Sequence, residues 1–369
     1  MPQNKKPAPF LQGIDRIIFD MDGVITSEQN YWNAAALTVY EMLNSCKYFG
    51  SRSIKTDLSS LEIKEIRDTI FINDKLIVLL KDRGVNSNWD LAYVVLCISF
   101  IINKVWSSEF GVGRKKFLNL SESTTHYCDV YQYISRLDIQ GYEIYTFIEQ
   151  KLSEITGQDK EYFKRNGELW NKCQQVFQEW YLGDTAYLKT YGHAPQQPGK
   201  PGLMYSEQPI IPLSELREII EVLYFAGIKL GIGTGRPFVE IDQPLISWDI
   251  KQYFHSDSYI TYTEVIKAEQ ALDCRYKKTN LAKPHPYVFL KAIYGKEYSD
   301  MALLQGDYDK NLIDRTLIVG DAGSDIMAAK AINCKFAAVL TGAAGHKARG
   351  YFEKMGAHYI LNSIRELII

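Results

Sequence analysis

The hydrophobic rhythm of the chain changes twice. Residues 14–25 hold one short apolar run, a strand over 16–20, followed at once by an acidic turn. From residue 26 to about 208 the apolar and aromatic positions recur at helical spacing and predict helices over 28–43, 61–80, 88–105, 142–155 and 167–180. From about 209 onward short apolar runs alternate with amphipathic stretches. Leu216, Ile219, Ile220, Leu223 and Tyr224 share one helical face, and Gly227 supplies the stop. Strands follow over 229–233, 316–319 and 336–340, with a short last one at Tyr359 and Ile360. Helices are expected near 287–293, 324–332 and 348–355.

Strand–helix alternation of this kind predicts an α/β fold, a parallel sheet with helices on both faces. The middle segment lacks it and reads as an inserted all-α domain. Its chain returns through residues 192–212, which carry HAPQQPGKPG and PIIP and predict irregular backbone. The expected division is a core of residues 1–26 and 209–369 and a helical domain of 27–208, with the returning linker at about 192–208. The most apolar stretch, LAYVVLCISFII at 91–102, is shorter than the roughly 18 residues of a membrane span and is read as a buried helix.

Composition narrows the function classes. A formal net charge of -2 leaves no basic footprint for nucleic acid. An anionic substrate must then be held by a local site. The start, MPQNKKPAPFLQG, lacks the apolar run of a signal peptide. The 6 cysteines form no CxxC pair, which suggests free thiols in a reducing cytoplasm. A soluble monomer or homodimer acting on a small molecule, with no nucleic-acid or membrane partner, is the expectation.

Three strands end in polar motifs. Asp20 and Asp22 in FDMDGV lie two apart, so in extended chain they point the same way, toward a shared hard cation. Asp321 and Asp325 follow TLIV in VGDAGSD, where Gly320 and Gly323 permit close approach of the backbone to a ligand. Thr234 and Gly235 follow KLGIG in GTGRP, a place for a hydroxyl and backbone N–H groups to hold phosphate oxygens. Lys283 in AKPHP offers a cation, and His285 beside it reads as a structural residue. Each motif alone admits a plainer account: an acidic turn, a helix-dipole acid, a dinucleotide-like glycine loop, a surface lysine. Their coincidence favours one site, because ligands of open α/β sheets bind at the carboxyl ends of strands.

As an ordered set, Asp20–Val24 (DMDGV), Gly233–Arg236 (GTGR), Ala282–Pro284 (AKP) and Gly320–Asp325 (GDAGSD) resemble the haloacid dehalogenase (HAD) superfamily. The resemblance covers residues 14–26 and 209–369. It implies a three-layer Rossmann-like core with a helical cap inserted after the first motif, here much larger than the usual short one. It implies Mg2+-dependent phosphatase chemistry on a small phosphorylated metabolite through an aspartyl-phosphate. Asp20 would be the nucleophile and Asp22 the acid and base. Asp20, the Asp22 main-chain carbonyl and Asp321 would hold the metal. Asp325 would support it through water or orient Lys283. Thr234, Gly235 and Lys283 would hold the phosphoryl group. An acid at Asp22 favours a phosphatase or a mutase resembling β-phosphoglucomutase, whose start Val24, Ile25 and Thr26 also match. Lys200, in KPGL of the returning linker, is a further candidate to reach the substrate.

Overall fold

The structure is a computed structural model that describes residues 5–85, 87–103, 120–273 and 280–369. The last two residues of the helix expected over 88–105, and Cys274, lie outside them. The chain forms two compact units, Met1–Glu28 with Glu207–Ile369, and Gln29–Ser206.

The first unit is built on six strands: β1 Arg16–Phe19, β2 Lys229–Gly233, β3 Phe254–Ile260, β4 Thr316–Gly320, β5 Lys335–Val339 and β6 Tyr359–Leu361. Their order is β3-β2-β1-β4-β5-β6, and every pair is parallel. Side chains alternate between the two faces of the sheet. Ile17, Phe19, Leu230, Ile232, Leu317 and Val319 enter one core with Leu216, Ile220 and Leu245. Ile18, Ile318, Phe336 and Ala338 enter the other with Val288, Phe289 and Ile326. Helices therefore cover both faces, giving three layers. The register pairs Phe19 with Ile232 on one side and with Val319 on the other. The carboxyl ends of β1, β2 and β4 are level, so the residues that follow them emerge along one edge.

β3 is an addition to the expected strands. Its sequence, FHSDSYI, carries an exposed polar run at His255, Ser256 and Asp257 that hides the apolar alternation. An edge strand tolerates such residues, because one side of it has no neighbour. Its pairing with β2 is irregular between Leu230 and Ile232.

The second unit is helical, with helices Gln29–Asn44, Ser60–Ile70, Lys75–Asp82, Asn88–Asn103, Leu120–Arg136, Tyr142–Thr156 and Glu168–Tyr191. The single helix expected over 61–80 is two. Ile72, Asn73 and Asp74 have φ of 52, 50 and 65, and three successive left-handed residues cannot continue a right-handed helix. The first of the two starts at a capping box between Ser59 and Glu62. The helix expected to stop at 180 runs on to Tyr191 with a kink at Gly183, whose φ is 72. A Cβ there would lie 2.6 Å from the Gly202 nitrogen, so the close approach of the returning chain requires glycine.

Asn88–Asn103 buries every residue from Asp90 to Ile101. Among the described residues no helix is long and apolar enough to cross a membrane.

Lys200 does not reach toward a substrate. Its side chain is wholly buried within the helical unit, 2.8 Å from Glu41 and 2.6 Å from Glu179. A buried ammonium needs carboxylate partners, and these two helices supply them. The Trp180 ring lies 5.1 Å away.

Candidate active site

The level strand ends bring the polar motifs of the first unit together. Asp20 follows β1 directly, and its N–H donates to the Val319 carbonyl at 2.9 Å. Its side chain is nearly buried, and so is that of Lys283, which stands 2.9 Å from it. The same ammonium lies 2.8 Å from Asp325, which is fully buried at the start of the helix Gly323–Ala331. Lys283 is set by the turn before the helix Tyr287–Tyr294, where the His285 N–H donates to the Ala282 carbonyl at 3.0 Å. Its ammonium also sits over the Phe289 ring, 4.6 Å from the centroid. His285 accepts from the Tyr287 N–H at 3.1 Å, and burial lowers its pKa, both in keeping with a structural residue.

Burial pushes the Asp20 carboxyl up to about 7. Lys283 opposes that shift, and Asp325 and Asp22 add to it. Burial acts against the Lys283 ammonium too, but Asp20 and Asp325 outweigh it and hold its pKa above the ordinary range. Asp321 joins this group. One carboxylate oxygen from each of Asp20, Asp321 and Asp325 falls within 4.8 Å of the others.

Glycines make the room. A Cβ on Gly342 would lie 1.8 Å from Asp321 Oδ2, one on Gly23 2.4 Å from the same atom, and one on Gly320 2.6 Å from Asp325 Oδ2. The Thr341 hydroxyl donates to the Gly23 carbonyl, fastening the turn after β5 to the turn after β1. Three converging carboxylates against one ammonium leave an excess of negative charge. All-oxygen donors of this kind suit a hard divalent cation such as Mg2+. The residues present therefore fit the metal that the motifs imply.

Thr234 and Gly235 follow β2. The Thr234 N–H donates to the Ile260 carbonyl at 3.1 Å, and its hydroxyl oxygen accepts from the Arg236 N–H at 3.2 Å. A Cβ on Gly235 would meet nothing within 4 Å, so open space lies beside it. Gly231 and Gly233 are not a nucleotide loop. They lie inside β2, where added Cβ atoms would strike Ile18 and Ser258, or Phe289.

Asp22 has a charged partner of its own. Arg236 Nε lies 3.0 and 3.1 Å from its two carboxylate oxygens, and Nη2 bonds to Oδ1. Arg236 Nη1 donates to Glu207 at 3.1 Å. Neither Arg236, Glu207 nor Gly342 stood out in the sequence as a site residue. Arg236 was visible in GTGRP, yet its partners are remote in the chain.

A HAD-hydrolase-like family model matches residues 280–367, the stretch that carries Lys283, Asp321 and Asp325. The X-ray structure of Northeast Structural Genomics Consortium target ZR25 is similar over 96% of this chain and 97% of that chain, at 31% identity and a TM-score of 0.79. A hydrolase from Pseudomonas syringae is similar over 95% of each chain, at 15% identity and a TM-score of 0.40. A haloacid dehalogenase-like family hydrolase from Streptococcus pneumoniae is similar over 96% of this chain and 97% of that one, at 12% identity and a TM-score of 0.41. No curated protein sequence matches significantly. The parallel sheet with an acid–lysine cluster on its carboxyl edge is a Rossmann-like α/β core. With the family match, this chain belongs to the HAD superfamily of hydrolases.

Proposed function

We propose that the chain is a phosphohydrolase acting on a small phosphate monoester, with Asp20 as nucleophile and Mg2+ as its metal. The observation that carries this reading is the buried Asp20 carboxylate, tied to Lys283 and grouped with Asp321 and Asp325 where β1 and β4 end. Asp20 attacks phosphorus, and a carboxylate–phosphorus bond forms as the bond to the leaving oxygen breaks. Asp22 gives that oxygen its proton. Water then attacks phosphorus, Asp22 takes its proton, and the Asp20 bond breaks to release inorganic phosphate. Lys283 keeps Asp20 in place and offsets charge on the phosphoryl oxygens. Thr234 and the Gly235 N–H, which follow β2, would hold the remaining oxygens. Asp20, Asp321 and the Asp22 carbonyl would hold the cation, which supplies further positive charge to the phosphoryl group when bound.

Phosphate release from a panel of sugar phosphates, phospho-acids and nucleotides, with and without Mg2+, tests the reading. The wild type should hydrolyse at least one ester, chelation should stop it, and Asp20→Asn should be slower by about 10³-fold or more with an unchanged melt. Equal rates for the two proteins would remove the nucleophile. Turnover that needs a sugar bisphosphate and yields no net phosphate would point to a mutase instead.

A further inference from the structure

We propose that Arg236 is a positioning residue for Asp22, and that Glu207 fixes Arg236 in turn. The assignment rests on the reading of Asp22 as the proton carrier and names what aims it. The Asp22 side chain is 26% exposed and sits in a turn, while the side chains of Arg236 and Glu207 are 2% and 1% exposed. A part-exposed aspartate samples several rotamers unless it is gripped. The guanidinium grips it with two nitrogens, and a planar fork holds direction as well as distance. The opposite nitrogen, Nη1, is held by Glu207. The guanidinium is thus engaged by carboxylates from both sides, which assigns it to Asp22 and not to the substrate phosphate.

The backbone braces the same corner. The Gly23 N–H donates to the Thr26 carbonyl at 2.9 Å, the Ser27 N–H to the Gln208 carbonyl at 2.8 Å, and Thr26 bridges to Pro209. Glu207 is therefore delivered where the chain re-enters the core, beside the turn that carries Asp22. On the other side the Tyr262 N–H donates to the Arg236 carbonyl at 2.9 Å.

Leaving-group dependence reads the difference between aiming a proton carrier and binding substrate. An alkyl phosphate needs a proton in the first step, p-nitrophenyl phosphate does not, and both need a base in the second. Wild type, Asp22→Asn, Arg236→Gln, Arg236→Lys, Glu207→Gln and the double variant Asp22→Asn/Arg236→Gln are compared by stopped-flow and steady-state kinetics, with melting curves for each. Arg236→Gln should lower kcat on an alkyl ester about 10²-fold while KM stays within about twofold. On p-nitrophenyl phosphate it should give a burst of nitrophenolate and then slow turnover, as Asp22→Asn does. Glu207→Gln should give the same signature more weakly, and Arg236→Lys should recover part of the rate. The double variant should be no slower than Asp22→Asn alone. Multiplying losses, or a raised KM at unchanged kcat, would overturn the assignment alone and make Arg236 a substrate contact. If Arg236→Gln does not fold, Glu207→Gln and Arg236→Lys decide by the same signatures. A wild type inactive on every ester, or a fully active Asp20→Asn, overturns the phosphohydrolase reading and this assignment with it.

Discussion

One methyl group at Gly342 would reach the acidic cluster. Its backbone is not among the positive-φ glycines, so alanine fits the chain, yet the new Cβ would lie 1.8 Å from Asp321 Oδ2. Asp321 must then turn away. Gly342→Ala is expected to keep its fold and to need about 10- to 100-fold more Mg2+, the usual cost of misorienting a ligand. The shift in melting temperature on Mg2+ addition measures this independently of turnover. Gly350→Ala, where an added Cβ meets nothing within 4 Å, should behave as wild type. At this scale the sequence displayed the donors but not the space between them. Asp20, Asp321 and Lys283 each follow a readable local pattern, whereas the need for glycine at Gly342 arises from a side chain that reaches it only in the folded core.

Three helical-unit segments meet at Lys200, Glu41 and Glu179, all with fully buried side chains. Burial pushes the Glu41 carboxyl from its ordinary 4.5 up to about 7, with Lys200 opposing the shift. The folded state therefore holds this proton more tightly than the unfolded chain. The stability it contributes is complete below pH 4.5 and is lost as pH rises toward 7. Glu41→Gln, which keeps the Lys200–Glu179 pair, should flatten that slope. Urea unfolding at several pH values compares the two proteins. Lys200→Met instead leaves two buried carboxylates without their cation and should cost about 3–5 kcal/mol at neutral pH. Lys200 is packed inside the helical unit and not at a substrate site, for a physical reason that the sequence hides. A lysine in a proline- and glycine-rich linker carries no local sign of burial, and its partners lie on remote helices. The break at Ile72, Asn73 and Asp74 was likewise hidden, because the apolar spacing of 61–80 continues across it.

The first unit takes its central strand from one end of the chain and the rest of its sheet from the other. β1 pairs with β2 on one side and β4 on the other, so residues 207–369 alone would lack the middle of the sheet. That fragment is expected not to fold. The ends of the insertion meet, since Ser27 bonds to Gln208 and Thr26 bridges Pro209. A chain that joins residue 28 to residue 207 through a short glycine–serine linker should therefore melt cooperatively by circular dichroism. A broad, non-cooperative melt would show that the inserted helices are needed to complete the core.

Local pattern by itself determined five of the six strands of a parallel α/β sheet, the presence of a helical insertion, and which polar residues follow the strands. Apolar runs that end in polar turns are written within a few residues, so periodicity reveals them. Tertiary structure alone decided that β3 closes the edge, that Lys200 is buried with two glutamates, and that Arg236 is held between Asp22 and Glu207. Those outcomes depend on contacts between residues far apart in the chain, and side-chain burial and pairing there are set by packing, which no local window contains.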